Sequence, residues 1–420
     1  MSIPDISTPV ISSDPLAVAD AQIDYSLASN SAVPIELIDK IIRYIHDDRL
    51  AVRSCSLVCK AWIPLSRQHV FHSILLDHSN VAEFIAILAS GSVGPHVQHL
   101  RIYRRGRDPI WIADAIPVLA SYLNPTFLEL SLHNSVLPEG GLLLGFDRAE
   151  PLQTEDLVVF HDAFQDVEYL RISMVCDSFA EGAALLATFP KLKTLDVRRD
   201  WFRWSGAQVS YETMFLPSSV RDISTSYGYY PNFFLWLLHQ PNPPPISSLS
   251  LASNQITESI SSYIQSLGVN LHHIAFYPNF PGNSQMFRIG QGRRLPRDHV
   301  DLTYNTGLRS ILLHPGEEVI LTVLQVLSQV RSNDVERIAA VVTLPLLKPF
   351  DGDPNADSPE RWSELDDLFS TSRFSKLCSV IISIPDYSFD TVQRLLPLSN
   401  SRKILYPYHP SAGGRNSPYV

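Results

Sequence analysis

Residues 246–256 read Ile-Ser-Ser-Leu-Ser-Leu-Ala-Ser-Asn-Gln-Ile. The pattern is an apolar residue, two of any kind, an apolar residue, one of any kind, and a third apolar residue. Leu249 and Leu251 fall on one face of a strand, because strand side chains alternate with a period of two. The same spacing recurs at Val97-Leu100-Ile102, Phe127-Leu130-Leu132, Val167-Leu170-Ile172, Leu192-Leu195-Val197, Leu271-Ile274-Phe276, Leu308-Ile311-Leu313 and Leu377-Val380-Ile382. Weaker copies fall at Val220-Ile223 and Val335-Ile338. In a chain that is 45% hydrophobic one match means little, so the order of the copies decides. Successive central residues, from Leu100 to Val380, lie 25 to 42 positions apart. The short intervals fit one strand-and-helix unit and the long ones a unit with an insertion.

Helical candidates lie between the strands, among them SNVAEFIAILAS (79–90), NFFLWLLHQ (232–240), TESISSYIQSLG (257–268) and WSELDDLFSTSRF (362–374). Strand and helix alternate, which predicts an α/β fold. With Asn254 and Ile256 added, the stretch at 246–256 reproduces the leucine-rich-repeat signature, and Asn279 falls at the same offset after Leu271. An asparagine there satisfies backbone groups as the chain leaves the strand. Residues 76–405 therefore resemble an irregular, degenerate leucine-rich-repeat solenoid. The resemblance implies parallel strands on a concave face and helices on a convex one. A doubly wound α/β sheet, built from the same alternation, is the rival reading, although no Gly-rich turn follows any strand.

In a solenoid, partner contacts belong to exposed strand-face positions and the loops after them. The candidates are Arg101, Tyr103 and Arg104, then Arg198, Arg199, Trp201 and Trp204, then Tyr227, Tyr229 and Tyr230. Arginine and aromatic residues dominate binding hot spots, which singles out VRRDWFRWSG (197–206). Trp201 and Trp204 serve equally well as plugs at a repeat junction.

The first eighty residues follow a different pattern. Residues 1–30 are rich in Ser, Pro, Asp and Ala and predict a disordered tail. Order is expected from residue 31, with Ser31 as a cap, Pro34 in the first turn and Glu36 near the positive helix end. Leu37, Ile38, Ile41, Ile42 and Ile45 then make one wide apolar stripe, with Asp39, Lys40 and Arg43 facing away. A second helix is expected from Leu50 towards Leu57, and SLVCKAW (56–62) is expected to open a third through Val58, Trp62 and Leu65. Three short helices carrying this many large apolar side chains leave surface for a partner, because small units bury a low fraction of their area.

Val33-Pro34-x-Glu36-Leu37, the Ile41-Ile42 pair and Val58-Cys59-Lys60-x-Trp62 resemble the F-box of fungal-type F-box proteins over residues 31–75, with Val-Pro in place of the usual Leu-Pro. The resemblance implies docking to the Skp-type adaptor of a cullin-RING ubiquitin ligase through Val33, Pro34, Leu37, Ile41, Val58, Cys59 and Trp62. It makes Cys59 a small buried hydrophobe and Trp62 an interface anchor. The chain then acts as a substrate receptor that holds a client while other subunits transfer ubiquitin, or as an F-box scaffold without a degraded client.

Bulk composition fits this frame. A net charge of -10 disfavours nucleic acid and anionic lipid as partners. The four cysteines, Cys55, Cys59, Cys176 and Cys378, are too few and scattered for a disulfide framework, and no zinc site is completed around Cys55 and Cys59. With no apolar run of about 18 residues and no signal peptide, a cytosolic or nuclear location is expected. No G-x-S-x-G, P-loop or H-E-x-x-H motif occurs. His69 and His72 are expected to meet a helix C-terminus, His272 and His273 to point to opposite strand faces, and Asp366 and Asp367 to lie on a helix surface. No cofactor or metal is expected, and an α/β hydrolase or transferase is the weakest of the three functional readings. GQGRRLPRDH (290–299) reads as a basic loop, residues 347–362 as an exposed insertion and 406–420 as a flexible tail.

Overall fold

The structure is a computed structural model that describes residues 33–45, 48–60, 62–104, 110–132, 158–160, 162–174, 179–198, 215–226, 231–252, 257–277, 300–313, 319–341, 359–383 and 388–407. The chain divides into two compact units, the first ending at Phe71 and the second beginning at His72.

The first unit holds helices α1 (Ile35–Tyr44), α2 (Arg49–Cys55) and α3 (Trp62–Phe71). Pro34 stands just before α1, and its carbonyl accepts the N–H groups of Leu37 and Ile38 at 3.0 and 3.2 Å. Asp48 caps α2, its carboxylate accepting from the N–H groups of Leu50 and Ala51 at 3.0 Å each. Ile38, Ile42, Val52, Cys55 and Leu65 form the core, with Ile35, Ile45, Trp62 and Val70 packed against it. SLVCKAW does not open α3. Ser56–Lys60 turn instead, with Leu57 N–H on the Ser54 carbonyl and Val58 N–H on the Cys55 carbonyl. Pro64 accounts for the difference, because proline is best tolerated in the first turn of a helix, and α3 starts two residues before it. Cys59 therefore lies outside any helix and is exposed, whereas Cys55 is buried.

The second unit is built on an 11-stranded parallel sheet whose strand order follows the chain from first to last. The strands are β1 (Ser73–Leu76), β2 (His99–Tyr103), β3 (Phe127–Leu132), β4 (Tyr169–Met174), β5 (Thr194–Arg198), β6 (Asp222–Ser226), β7 (Ser248–Ala252), β8 (His273–Tyr277), β9 (Ser310–Leu313), β10 (Arg337–Val341) and β11 (Ser379–Ser383). Between and after them lie α4 (Val81–Leu88), α5 (Ile110–Tyr122), α6 (Phe179–Ala187), α7 (Pro231–Leu238), α8 (Glu258–Leu267), α9 (Val319–Gln329), α10 (Pro359–Phe369), α11 (Phe389–Leu395) and α12 (Pro397–Ser401). A doubly wound sheet reverses its strand order at a switch point, and this one never does. In a parallel sheet, right-handed crossovers that run in one unbroken direction place successive helices on one side. The helices accordingly pack on their neighbours, α4 on α5, α7 on α8 and α9 on α10. Phe234 of α7 and Tyr263 of α8 meet at 5.4 Å between ring centres.

Register makes the repeats equivalent. The carbonyl just before each strand from β1 to β10 accepts two N–H groups from the start of the next repeat, at 2.7–3.1 Å. Leu100, Leu128, Leu170, Leu195, Ile223, Leu249, Ile274, Ile311, Ile338 and Val380 stand in one row, all at most 2% exposed. One repeat is two residues off the sequence reading: the central position of β3 is Leu128, not Leu130. Phe127 matches the apolar spacing but sits on the other face, where it stacks on Tyr169 at 4.5 Å. β1 was not evident from spacing; it straddles the domain boundary expected at residue 75. At the far edge Tyr406 N–H bonds the Val380 carbonyl at 2.9 Å, so the chain pairs with β11 where a frayed tail was expected to start.

Asp366 is likewise not on a helix surface. It is 3% exposed, and its carboxylate accepts the N–H groups of Leu398 and Ser399 at 2.7 and 2.8 Å, capping α12. Close approach explains Gly307, where a Cβ would collide with the Val269 carbonyl oxygen.

Candidate functional site

Two surfaces stand out, one on each unit. On the first, α1 splits its apolar stripe. Ile38 and Ile42 are fully buried, whereas Leu37, Ile41 and Tyr44, spaced four and three apart, are 49%, 44% and 91% exposed. Residues at this spacing share a helix face, so α1 carries a second apolar face that its own unit leaves open. Leu50, Leu57 and Val58 add further exposed apolar side chains to the same unit. Sequence spacing merged the two faces of α1 into one, and it passed over Tyr44, Leu50 and Leu57. Of the residues assigned to an adaptor, Val33, Pro34, Leu37, Ile41, Val58 and Cys59 are exposed. Trp62 is half-buried and packs against the core of its own unit. Asp39 pairs with Arg43 at 2.8 Å and lies 3.8 Å from His69, which ties α3 to α1. His69 lies in the last turn of α3, as expected from sequence, and also approaches a carboxylate.

On the second unit, the sheet face opposite the buried row carries the chemistry. One row runs Arg101, Glu129, Arg171, Asp196 across β2, β3, β4 and β5 in direct register. Arg101 Nε donates to Glu129 Oε2 at 2.9 Å, and Tyr103 Oη donates to Glu129 Oε1 at 2.7 Å. Arg171 donates from Nε to Asp196 Oδ2 at 2.7 Å, from Nη1 to Glu129 Oε2 at 3.5 Å and from Nη2 to Tyr169 Oη at 3.2 Å. Arg198 Nε reaches Asp196 Oδ2 at 3.0 Å. Burial by itself pushes the Glu129 carboxyl up, but the hydrogen bonds from Arg101 and Tyr103 and the nearby guanidinium charges hold it below the usual carboxylate range. Burial and hydrogen bonding to Glu129 push the Tyr103 hydroxyl up.

The adjacent row is aromatic. His72 and His99 lie 4.4 Å apart between ring centres, His99 and Phe127 4.8 Å, and the Arg171 guanidinium sits 5.6 Å over Phe127 and 5.7 Å over Tyr169. His72, the residue that follows α3, thus meets the ring of His99 in β2. Burial, then the charges of His72 and Arg101, lower the pKa of His99 to about 4.

The structure brings Arg101, Tyr103 and Arg198 together around this ladder, with Glu129, Arg171 and Asp196, which sequence spacing did not single out. Arg104 is 3% exposed and so is out of a partner's reach. The other client candidates, Arg199, Trp201, Trp204, Tyr227, Tyr229 and Tyr230, lie outside the described residues, as do Asn254, Asn279, Cys176 and the basic loop at 290–299. His272 and His273 have ring centres 6.4 Å apart, and burial lowers the pKa of His273. Among the described residues no three His, Cys, Asp or Glu side chains are grouped to hold a metal ion, and no helix is long and apolar enough to cross a membrane. Cys55, Cys59 and Cys378 form no disulfide.

No protein-family model matches the chain, and no curated protein matches it. Among solved structures, the leucine-rich repeat-containing protein LegL7 from Legionella pneumophila is similar over 81% of this chain and 94% of its own, at 14% identity and a TM-score of 0.43. A protein from Bacteroides fragilis is similar over 83% of this chain and 76% of its own, at 13% identity and a TM-score of 0.33. The α/β repeat architecture of the second unit rests on its own strand order and register, which present broad surfaces of the kind that serve protein interaction.

Proposed function

We propose that the chain is the substrate-recognition subunit of a Skp-cullin-F-box type ubiquitin ligase in the cytosol or nucleus. The first unit docks the Skp-type adaptor, and the repeat sheet holds a client protein. No covalent step takes place on this chain; it raises the effective concentration of client at the ligase. The observation that supports the adaptor contact is the open apolar face of α1, Leu37, Ile41 and Tyr44, beside a core that is already complete without it. Leu37 and Ile41 are already about half covered, so a partner that completes their burial gains on the order of 1 kcal/mol from each. Trp62 takes a supporting role in this reading, because it packs on its own unit.

Affinity purification of the full chain tests the proposal. Adaptor and cullin are expected with the wild type and are expected to disappear with Leu37→Asp/Ile41→Asp, while client proteins remain. Retention of the adaptor by that variant contradicts the reading. A scaffold without a degraded client keeps the same contact, and it gains support if turnover of the retained proteins is unchanged by the variant.

A further inference from the structure

We propose that the open face of β2–β5 binds an acidic, carboxylate-bearing extended segment of a partner protein. The argument begins with donors and acceptors. Each guanidinium offers five N–H groups in a fixed fork and no acceptor. Arg171 spends all three of its nitrogens on Asp196, Glu129 and Tyr169. Arg101 and Arg198 spend only Nε, on Glu129 and Asp196. Their Nη groups have no hydrogen-bond acceptor among the described residues. The carboxylates are more engaged: Glu129 accepts from Arg101, Tyr103 and Arg171 on its two oxygens, and Asp196 accepts from Arg171, Arg198 and Tyr169, all on Oδ2.

Depth sorts the charges in the same way. The side chains of Glu129 and Asp196 are 9% and 5% exposed, whereas those of Arg101 and Arg198 are 20% and 45% exposed. A partner meets cationic forks above sunken anions. Those forks are held in place before any partner arrives, Arg101 by Glu129 and Arg198 by Asp196, so little order is lost on binding. Beside them Phe127 stacks on Tyr169 under the Arg171 guanidinium, with His99 tilted against Phe127.

The geometry selects the ligand class. Carboxylates match the guanidinium fork in pairs of parallel hydrogen bonds. A phosphodiester chain needs a run of cations, and here carboxylates interrupt the arginines while the whole chain carries a charge of -10. Arg101 and Arg198 stand three strands apart, about 15 Å, which an extended chain covers in four or five residues. The expected segment crosses the strands with acidic residues at that spacing. This proposal rests on the reading of the sheet as the partner-holding unit, and it does not depend on the adaptor contact.

Fluorescence anisotropy on the full chain, without adaptor, tests it with a labelled decapeptide carrying two glutamates four residues apart and with its glutamine counterpart. The glutamate peptide is expected to bind at least tenfold more tightly and to weaken as salt rises. Arg198→Gln leaves Asp196 paired to Arg171, so the fold is expected to melt at the wild-type temperature while peptide affinity falls about tenfold; Arg198→Lys recovers part of it. Absence of binding, equal affinity for the two peptides, an unaltered affinity in Arg198→Gln, or tighter binding of an oligonucleotide overturns the proposal. Leu37→Asp/Ile41→Asp is expected to leave peptide affinity unchanged, so the two readings fail separately.

Discussion

On α1 the outward residues Leu37, Ile41 and Tyr44 face solvent with apolar area and a single hydroxyl, that of Tyr44, whereas on β2–β5 the outward residues have largely found one another. The first surface gains by excluding water over apolar area. The second is a hydrogen-bonded lattice whose spare donors sit at its rim. The difference teaches how each is recognised: an open apolar face is visible in exposure alone, but a polar face declares itself only when its acceptors are counted against its donors. It also sets how each should respond to mutation, salt and pH.

The largest effect should come from moving one residue around α1. Ile38→Asp places a carboxylate in the core beside Ile42, Val52 and Leu65, and is expected to unfold the first unit. Leu37→Asp, one position away, is expected to change stability by less than about 0.5 kcal/mol, since surface changes away from packing are nearly neutral. Urea titration followed by circular dichroism separates the two, and equal losses would break the comparison.

On the sheet the corresponding change is smaller. Glu129→Ala strips the shared acceptor from Arg101, Tyr103 and Arg171, and is expected to cost about 3 kcal/mol in urea unfolding, the scale of removing one partner of a mostly buried ion pair. The same row, followed into the C-terminal repeats, reads Ala275, Leu312, Ala339 and Ile381. Leu312, Ala339 and Val341 there are buried in an apolar cluster, so the ladder belongs to β2–β5 and not to the sheet as a whole.

This contrast also shows what could be read in advance. The buried row was legible, because Leu100, Leu170, Leu195 and their counterparts recur at a spacing that only a strand face explains. β3 slipped by two residues because Phe127 is apolar on the wrong face, and spacing does not distinguish a ring that packs inward from one that stacks outward. Glu129, Arg171 and Asp196 were hidden for a related reason. Their charges pair across 25 to 42 residues of sequence, and only the register between strands places them side by side. On α1 the positions were legible and their division was not, since a stripe broad enough for two faces gives no sign of which half the core will take.

The smallest effect is a pH response confined to the sheet. His99 has a pKa lowered to about 4, against about 6.5 in an unfolded chain. Between those values the unfolded state binds more protons, so stability contributed by the neutral ring is present above pH 6.5 and is lost as pH falls towards 4. His99→Phe keeps a ring beside Phe127 and removes the titration. Its melting temperature should fall by about 1–3 °C less than that of the wild type across this window, and identical slopes would remove His99 from the account.

The central claim is that α1 docks the adaptor by burying apolar surface. Calorimetric titration of purified Skp-type adaptor into the full chain, in 0.05 and 0.5 M salt and at several temperatures, tests it most directly. Affinity is predicted to stay within about twofold between the two salt concentrations, with a negative heat-capacity change. No binding, or an affinity that collapses in high salt with no heat-capacity change, would contradict it.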